Sequence, residues 1–332
     1  MTRRHLQAGL AAAALAMVAL MAYTLWQATR PYRGWPSPVF VEIAPGTSSR
    51  SIAARLREAG VLRREWPFLL FYYLSPGRKL KAGEYLFARP MSAREVLNKI
   101  ARGEVYYHSV TIPEGYNIFD VIQAVAAGKL VERAEIEQAV RNSALIADLD
   151  PAARTLEGYL FPDTYHFQRH TTAREIVAAM VSRFRKVYGE LEARYQPRRP
   201  VREVVTMAAL VEKETGVPGE RPLVAGVFYN RQQAGLPLQC DPTVIYAALV
   251  AGRYRGTIYQ RDLEYDSPYN TYRRRGLPPG PIANPGRASL EAAMAPTVTD
   301  YLYFVSDGRN GHRFSANLKD HARAVTRYRR RK

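Results

Sequence analysis

The sequence Met-Ala-Ala-Leu-Val-Glu-Lys-Glu-Thr-Gly at residues 207–216 joins an apolar run to two carboxylates. The i, i+3, i+4, i+7 positions of one helical face are Met207, Leu210, Val211 and Glu214. Glu214 is therefore predicted on the buried side, with Glu212 roughly 160° away as a supporting or solvent residue. Poor solvation at such a helix end raises a carboxyl pKa towards that of a general acid. The alternative is an ordinary exposed Glu-Lys-Glu helix end, closed by Gly216 and Pro218.

The N-terminal stretch predicts a membrane anchor. A basic Arg-Arg-His at residues 3–5 precedes Ala8–Trp26, which has no charged side chain. At about 1.5 Å rise per residue, this run is long enough to span a bilayer. Basic residues before the run place residues 1–7 in the cytoplasm, and the chain from about Pro31 onward outside it. A cleaved signal peptide is the alternative.

The composition narrows the classes of partner. The 332 residues carry a formal net charge of +18, which in a cytosolic protein would suggest nucleic acid. No nucleic-acid-binding motif accompanies the charge, so outside the inner membrane the predicted partners are anionic lipid or an acidic wall polymer. The alternative is a basic host proteome, with the charge on a solvated surface. Cys240 is the only cysteine, which excludes a disulfide framework and a cysteine-based zinc site. His166 and His170 are spaced i, i+4 without an acid at ligand spacing, so we predict no metal and no cofactor.

Residues 38–131 are predicted to form a small α+β module. A strand, a turn and a helix occur twice, and the copies begin at Phe40–Gly46 and Val110–Gly115. Between the copies, Ser92 and Glu95 have the spacing of a capping box that starts a helix. Small strand–helix units of this kind suit a compact α+β module. The module has no catalytic constellation, so binding or spacing is its natural role.

Residues 132–332 are predicted to form a larger, mainly helical α+β domain. Its segment Leu156–Tyr165 is dense in aromatic residues and contains a Gly and a Pro, so it is not a regular helix. Aromatic rings beside a carboxylate suit a sugar-binding cleft, which makes Tyr159 and Asp163 candidate substrate contacts. A hydrophobic loop that plugs the core is the alternative.

The motifs from Glu212 onward occur in a distinctive order. They are Glu212-Lys213-Glu214-Thr215, Glu220-Arg221, Leu238-Gln239-x-Asp241-Pro242-Thr243, Tyr269-Asn270-Thr271-Tyr272, Gly276-Leu277-Pro278-Pro279-Gly280 and His312-x-Phe314. This series resembles the endolytic murein transglycosylase family (MltG, YceG-like), and the likeness extends over nearly the whole chain. The resemblance implies a membrane anchor, a LysM-like membrane-proximal module and a catalytic domain with a lytic-transglycosylase-like active site. The chain departs from the family at Cys240, where a hydroxyl residue is expected.

The resemblance also implies an activity. It is a lytic cut of the β-1,4 bond between N-acetylmuramic acid and N-acetylglucosamine in nascent glycan strands, which leaves a 1,6-anhydro end and terminates chain elongation. Glu214 matches the family's catalytic glutamate. Peptidoglycan strands are the implied substrate, penicillin-binding proteins or other cell-wall synthases are candidate partners, and the catalytic domain is periplasmic on a single-pass inner-membrane anchor. Candidate substrate-binding residues are Glu212, Glu220, Gln239, Asp241, Thr243, Tyr269, Asn270 and Tyr272.

Two rival functions remain from the sequence. The first is a Cys–His hydrolase that uses Cys240 with His312 or His321, although a lone buried cysteine is more often a small apolar group. The second is a non-catalytic peptidoglycan-binding scaffold that regulates a cell-wall synthase. The intact Glu214 and its neighbours argue against the scaffold.

Overall fold

The computed structural model describes residues 3–309 and 311–330. Residues 1 and 2 of the predicted cytoplasmic segment and residues 331 and 332 of the basic tail lie outside the described residues. The chain divides into two compact units. The smaller unit contains the described residues up to His108 and Gln168–His170, and the larger unit contains Ser109–Phe167 and the described residues from Thr171 onward. The fold is α+β as predicted, with helices as the main element and short strands.

The smaller unit is a two-stranded sheet covered by short helices. Its elements are α1 (Arg3–Thr29), β1 (Val39–Ile43), α2 (Ser49–Glu58), α3 (Trp66–Tyr73), β2 (Gly83–Phe87) and α4 (Ala93–Arg102). The two strands pair antiparallel with Val41 opposite Tyr85, and strand alternation places both side chains in the core. The predicted capping box of Ser92 and Glu95 starts α4.

The helix α1 contains the predicted anchor. Gly9–Thr29 is, among the described residues, the one segment long and apolar enough to cross a membrane. This segment overlaps the predicted run Ala8–Trp26 and is compatible with a single-pass anchor.

The larger unit is mainly helical. Its elements are β3 (His108–Thr111, whose first residue belongs to the smaller unit), α5 (Ile118–Ala127), α6 (Arg133–Ala139), β4 (Thr164–Phe167), α7 (Ala173–Tyr195), α8 (Val201–Glu214), α9 (Arg221–Gln233), α10 (Asp241–Val250), α11 (Gln260–Leu263), α12 (Arg287–Met294), β5 (Tyr303–Ser306), β6 (His312–Ser315) and α13 (Leu318–Arg329), with 3-10 turns at Ser143–Ile146 and Pro218–Glu220. The strands β3 and β4 form one sheet, and β5 and β6 form another.

The division between the units differs from the predicted module boundary at residue 131. Val110 and Ile112 of the second strand–helix copy, together with Val121 and Ile122 of α5, pack in the core of the larger unit. The two copies of the sequence pattern therefore belong to different hydrophobic cores.

The helix α8 lies in the middle of the larger unit. Every residue from Val204 to Val211 is buried, because α8 packs against α9, α10 and α12. A helix that is apolar on all sides has no solvent face. The Glu212 side chain is only 6% exposed, so of its two predicted roles, supporting or solvent residue, the structure does not favour the solvent role.

Candidate active site

A cavity of about 370 Å³ lies at the C-terminal end of α8. Its polar lining includes Glu214, Arg231, Gln239, Asp241, Tyr272 and His321. Three of the candidate substrate contacts, Gln239, Asp241 and Tyr272, thus lie in the same cavity as Glu214. A concave site with a few converging polar groups is the usual form of a ligand-binding site.

Glu214 is the last residue of α8 and is half-buried. Burial raises its pKa to about 7; a hydrogen bond with the Cys240 thiol lowers that pKa, the Asp241 carboxylate raises it, and the charge of His312 lowers it. A carboxyl group that titrates near neutral pH can both give and accept a proton during a reaction.

The helix ends at Glu214 without help from glycine. Thr215 caps α8 in an extended conformation (φ −137°, ψ 128°), and its hydroxyl accepts a hydrogen bond from the Val217 amide at 3.1 Å. Gly216 has no positive φ, so the stop signal at this position is the extended Thr215 rather than a left-handed glycine.

Cys240 is a buried hydrogen-bond partner of Glu214. The Cys240 side chain is fully buried, and burial raises the pKa of its thiol well above the usual value, so the protonated S–H donates to Glu214. The loop around Cys240 is held by Thr271, whose hydroxyl accepts the Cys240 amide at 3.0 Å. A buried, protonated thiol is a poor nucleophile, which argues against the Cys–His hydrolase.

Gln239 adopts an unusual backbone conformation beside Glu214. Its φ of +54° lies in the left-handed region, which a residue with a side chain occupies at a cost. Its amide donates to the Thr271 carbonyl at 3.2 Å, and its Oε1 accepts Arg231 Nη2 at 2.5 Å. Because a guanidinium only donates, Oε1 must face Arg231, and the side-chain NH₂ of the exposed Gln239 is left for another acceptor.

Arg231 joins three segments around the cavity. Its guanidinium donates to the Pro237 carbonyl at 2.7 Å and to the Leu302 carbonyl at 3.0 Å, as well as to Gln239. Tyr272, which also lines the cavity, donates its hydroxyl proton to Asp241 Oδ1 at 2.5 Å. Both contacts hold polar side chains in place before any ligand arrives.

Glu220 forms a pair with His312 directly after α8. Its carboxylate accepts the His312 amide at 2.8 Å, lies 2.7 Å from His312 Nδ1, and accepts the Thr215 hydroxyl at 3.3 Å. Although burial raises the pKa of Glu220, these bonds from His312 and its charge hold that pKa below its usual range. Glu220 is thereby linked to Thr215, the residue after Glu214, and not to Arg221.

Both carboxylate oxygens of Glu212 have partners within the protein. Its side chain is 6% exposed, lies 3.4 Å from Arg221 Nη2, and accepts the Gly286 amide at 2.8 Å. Arg221 also donates to the Ser289 hydroxyl at 3.1 Å. Glu212 therefore ties α8 to α9 and to the start of α12, and of its two predicted roles the supporting one agrees with this structure.

Several sequence candidates have structural contacts instead of facing the cavity. Tyr159 is fully buried and its hydroxyl donates to Asp150 at 2.7 Å, so the aromatic loop is the core plug of the alternative interpretation. Asp163 pairs with Arg183 at 2.8 Å. Asn270 is also fully buried, and its amide donates to the carbonyls of Leu263 and Tyr265.

The remaining two candidates, Thr243 and Tyr269, also contact other residues of the protein. Thr243 is fully buried and donates its hydroxyl proton to the Cys240 carbonyl at 2.6 Å. Tyr269 packs edge-on against Tyr246, with ring centroids 4.9 Å apart. Burial and full hydrogen bonding leave Tyr159, Asn270 and Thr243 no surface with which to touch a ligand.

Sequence reasoning missed Arg231 and Tyr303, which line the cavity, and considered His312 and His321 as site residues only in the Cys–His hydrolase alternative. The His-x-Phe motif was a signal for His312. Nothing in the local sequence distinguishes the buried Arg231 from the arginines on the surface, because its burial depends on the distant segment at Leu302.

Comparisons with known proteins find relatives that match most of this chain. The model of the YceG-like family matches residues 41–327. A Bacillus subtilis (strain 168) protein named endolytic murein transglycosylase is 33% identical over 307 residues, which cover 87% of this chain and 84% of that protein. A Streptococcus pneumoniae (strain D39) protein of the same name is 33% identical over 320 residues, which cover 86% of this chain and 58% of that protein. A crystal structure of a yceG-like protein from Listeria monocytogenes superimposes with a TM-score of 0.57 and 31% identity, and covers 86% of this chain and 98% of that chain.

Proposed function

The chain belongs to the YceG-like family, and from that premise we propose that it is an endolytic murein transglycosylase, as its Bacillus and Streptococcus relatives are named. Its substrate is the glycan strand of peptidoglycan. It cuts the β-1,4 bond between N-acetylmuramic acid and N-acetylglucosamine within a nascent strand and leaves a 1,6-anhydro-muramic acid end. The cut terminates elongation of that strand.

Glu214 is the single acid and base of this reaction. The observation that carries the proposal is its position at the end of α8, in the cavity, with a pKa raised by burial to about 7. Protonated Glu214 gives its proton to the glycosidic oxygen as the bond breaks through an oxocarbenium-like state. The resulting carboxylate then accepts the proton of the muramic acid 6-hydroxyl, which attacks the anomeric carbon within the same sugar.

The polar groups around Glu214 bind the sugar substituents. Gln239 directs its NH₂ towards a carbonyl oxygen of the substrate, because its own oxygen is held by Arg231. Tyr272 and Asp241 form a second polar pair in the same cavity. The partly buried pair of Glu220 and His312 positions the segment that follows Glu214.

The rest of the chain places this site at its substrate. α1 is a single-pass anchor in the inner membrane with its N-terminus in the cytoplasm, and the larger unit is periplasmic. The part of the smaller unit from residue 38 to His108, which lies within the predicted module 38–131, is LysM-like and binds glycan or spaces the catalytic unit from the membrane. Penicillin-binding proteins or other cell-wall synthases, which make nascent strands, are its partners.

The test uses Glu214→Gln, which keeps the size of the side chain and removes the acid. The full chain is incubated with uncrosslinked nascent glycan, and the products are identified by mass spectrometry. We expect the rate of formation of 1,6-anhydro ends to fall by about a hundredfold or more. Undiminished anhydro products in this variant would remove Glu214 from the mechanism.

The same digestion distinguishes the transglycosylase from a hydrolase and from the non-catalytic scaffold. Asp241 lines the cavity with Glu214, and two carboxylates are what a hydrolase uses. Reducing muramic acid ends from the wild-type protein would therefore make it a hydrolase. Intact strands that stay bound to the wild-type protein would favour the scaffold.

A further inference from the structure

The helix α3 is apolar on its outer face as well as on its inner face. Phe68 is fully buried, whereas Leu70, Tyr73 and Leu74 at its C-terminal end are 39%, 60% and 70% exposed. Together with Trp66, these three residues have the spacing i, i+4, i+7, i+8 and share one face. A helix that is apolar all round is normally covered by protein or by lipid.

This exposed face lies next to the membrane anchor of the same unit. α3 packs against α1. Gln27 and Arg30 at the C-terminal end of α1 line one recess together with Pro67 in the first turn of α3. α3 therefore begins where the apolar span Gly9–Thr29 ends, at the level at which that span would leave the bilayer.

The same recess is basic. It is lined by Arg30, Arg63 and Arg64, all exposed, and none of the three pairs with a carboxylate among residues 3–309 and 311–330. The Arg63 guanidinium lies over the Tyr32 ring at 5.3 Å, and the Arg30 guanidinium lies over Trp26 at 4.9 Å. Arginine and aromatic side chains at the end of an apolar span are typical of the headgroup region.

We propose that the outer face of α3 and this arginine recess form one membrane-docking surface. Leu70, Tyr73 and Leu74 enter the interface of the bilayer that α1 crosses, and the arginines bind the phosphates of anionic lipid headgroups. The occupant is the bilayer and not a protein, because the apolar face continues from a membrane-spanning helix and ends in unpaired positive charge. The docking restricts the tilt of the smaller unit on the membrane, a property that the catalytic proposal does not require, although it rests on α1 being an anchor.

The test measures lipid contact at Leu74 in the full chain. Leu74→Cys is labelled with an environment-sensitive fluorophore, since the native Cys240 is 0% exposed and does not react in the folded protein. One chain is placed in each nanodisc, so that no second copy can cover the face, and spin-labelled lipids serve as the quencher. The matched control is Phe40→Cys in β1, which is 47% exposed in the same unit.

We expect the label at residue 74 to emit at shorter wavelength and to lose at least about half of its intensity to the quencher, as a group in the interface does. The label at residue 40 should lose much less. Equal quenching at the two positions, or none at residue 74, would overturn the docking of α3.

The role of the arginines is tested by lipid charge. Quenching at residue 74 should increase when anionic lipid replaces phosphatidylcholine, and the double variant Arg63→Gln/Arg64→Gln should lose that increase. The same quenching in both lipids would remove the headgroup contact from the proposal. Glu214→Gln should quench like the parent protein, so a failure of the catalytic proposal and a failure of this one give different results.

Discussion

At the scale of single residues, the two carboxylates at the end of α8 have opposite environments. Glu212 is nearly buried and is held by Arg221 and the Gly286 amide, so it has no free oxygen for a ligand. Glu214 lines a cavity and receives one weak donor, the Cys240 thiol. A single carboxyl group with a near-neutral pKa is what the proposed acid-then-base cycle needs.

The Cys240 thiol predicts a shift in the pH profile of the reaction. The thiol bond stabilises the Glu214 carboxylate, so Cys240→Ala should raise the pKa of Glu214 above about 7. Catalysis starts from protonated Glu214 and falls as pH rises through that pKa, so the descending limb of kcat/KM should move to higher pH by about half a unit to one unit. Cys240→Ser supplies a stronger donor and should move the limb to lower pH. Shifts of both variants in the same direction would contradict a tuning role for the thiol.

The left-handed backbone of Gln239 predicts an inverted order of stability between two variants. Gln239→Gly and Gln239→Ala both remove the side chain and its bond to Arg231, but only Ala keeps a Cβ at φ +54°. The Gly variant should be more stable than the Ala variant by about 1 kcal/mol in urea unfolding, the reverse of the usual order. If Gln239 binds substrate, both variants should also raise KM to a similar extent. An unchanged KM in both would leave Gln239 as a loop residue only.

At the scale of elements, the sequence predicted α8 and its end but not its surroundings. The apolar spacing located the helix, and the Glu-Lys-Glu-Thr motif located Glu214. Helical phase favoured Glu214 over Glu212 as the buried carboxylate, but phase assumes one wet face. Because α8 is enclosed by α9, α10 and α12, Glu212 is nearly buried as well. The predicted cap of α4 depends on Ser92 and Glu95, three residues apart, and is therefore as local as the signal that predicts it.

Gly158 in the aromatic loop is tightly packed, so we predict that its substitution strongly lowers the free energy of unfolding. Gly158 has φ +87°, and a Cβ there would lie 2.5 Å from Pro281 Cγ and 2.8 Å from Val205 Cγ1. Gly158→Ala should therefore lower the free energy of unfolding by roughly 2–4 kcal/mol through strain and overpacking. Gly216→Ala is the matched control, since a Cβ at Gly216 meets nothing within 4 Å, and it should change stability by less than about 0.5 kcal/mol. Similar losses in both variants, measured by urea unfolding, would contradict this packing.

At the scale of the whole molecule, the fold class was easier to predict from the sequence than the boundary between the two compact units. The sequence anticipated an apolar anchor and an α+β chain in two parts, but the second strand–helix copy joins the larger core through Val110 and Val121. A local repeat cannot reveal which core will bury it. The same limit explains the buried Tyr159 and Asn270, because their partners lie in packed layers that only the folded chain brings together.

Glu157 predicts the pH dependence of the stability of the larger unit. It is 4% exposed, accepts the Ile118 amide at 3.0 Å and the Asn284 amide at 3.3 Å, and burial raises its pKa to about 8 from 4.5. Between these two pH values the folded state holds a proton that the unfolded state has lost, so stability should fall as pH rises from about 4.5 to about 8. The loss due to this group is on the order of a few kcal/mol.

Glu157→Gln removes the titrating group and keeps a carbonyl that can accept the Ile118 amide. In urea unfolding of the full chain in detergent, this variant should lose most of the decline in stability between pH 5 and pH 8. The pKa of Glu214 is also raised, to about 7, so its contribution to stability falls with rising pH in the same direction. Glu157 and its Gln variant are therefore compared in a Glu214→Gln background. An equally steep decline with and without Glu157 would mean that the carboxylate is stabilised by its hydrogen bonds, and that the larger unit folds around a charged Glu157 rather than a protonated one.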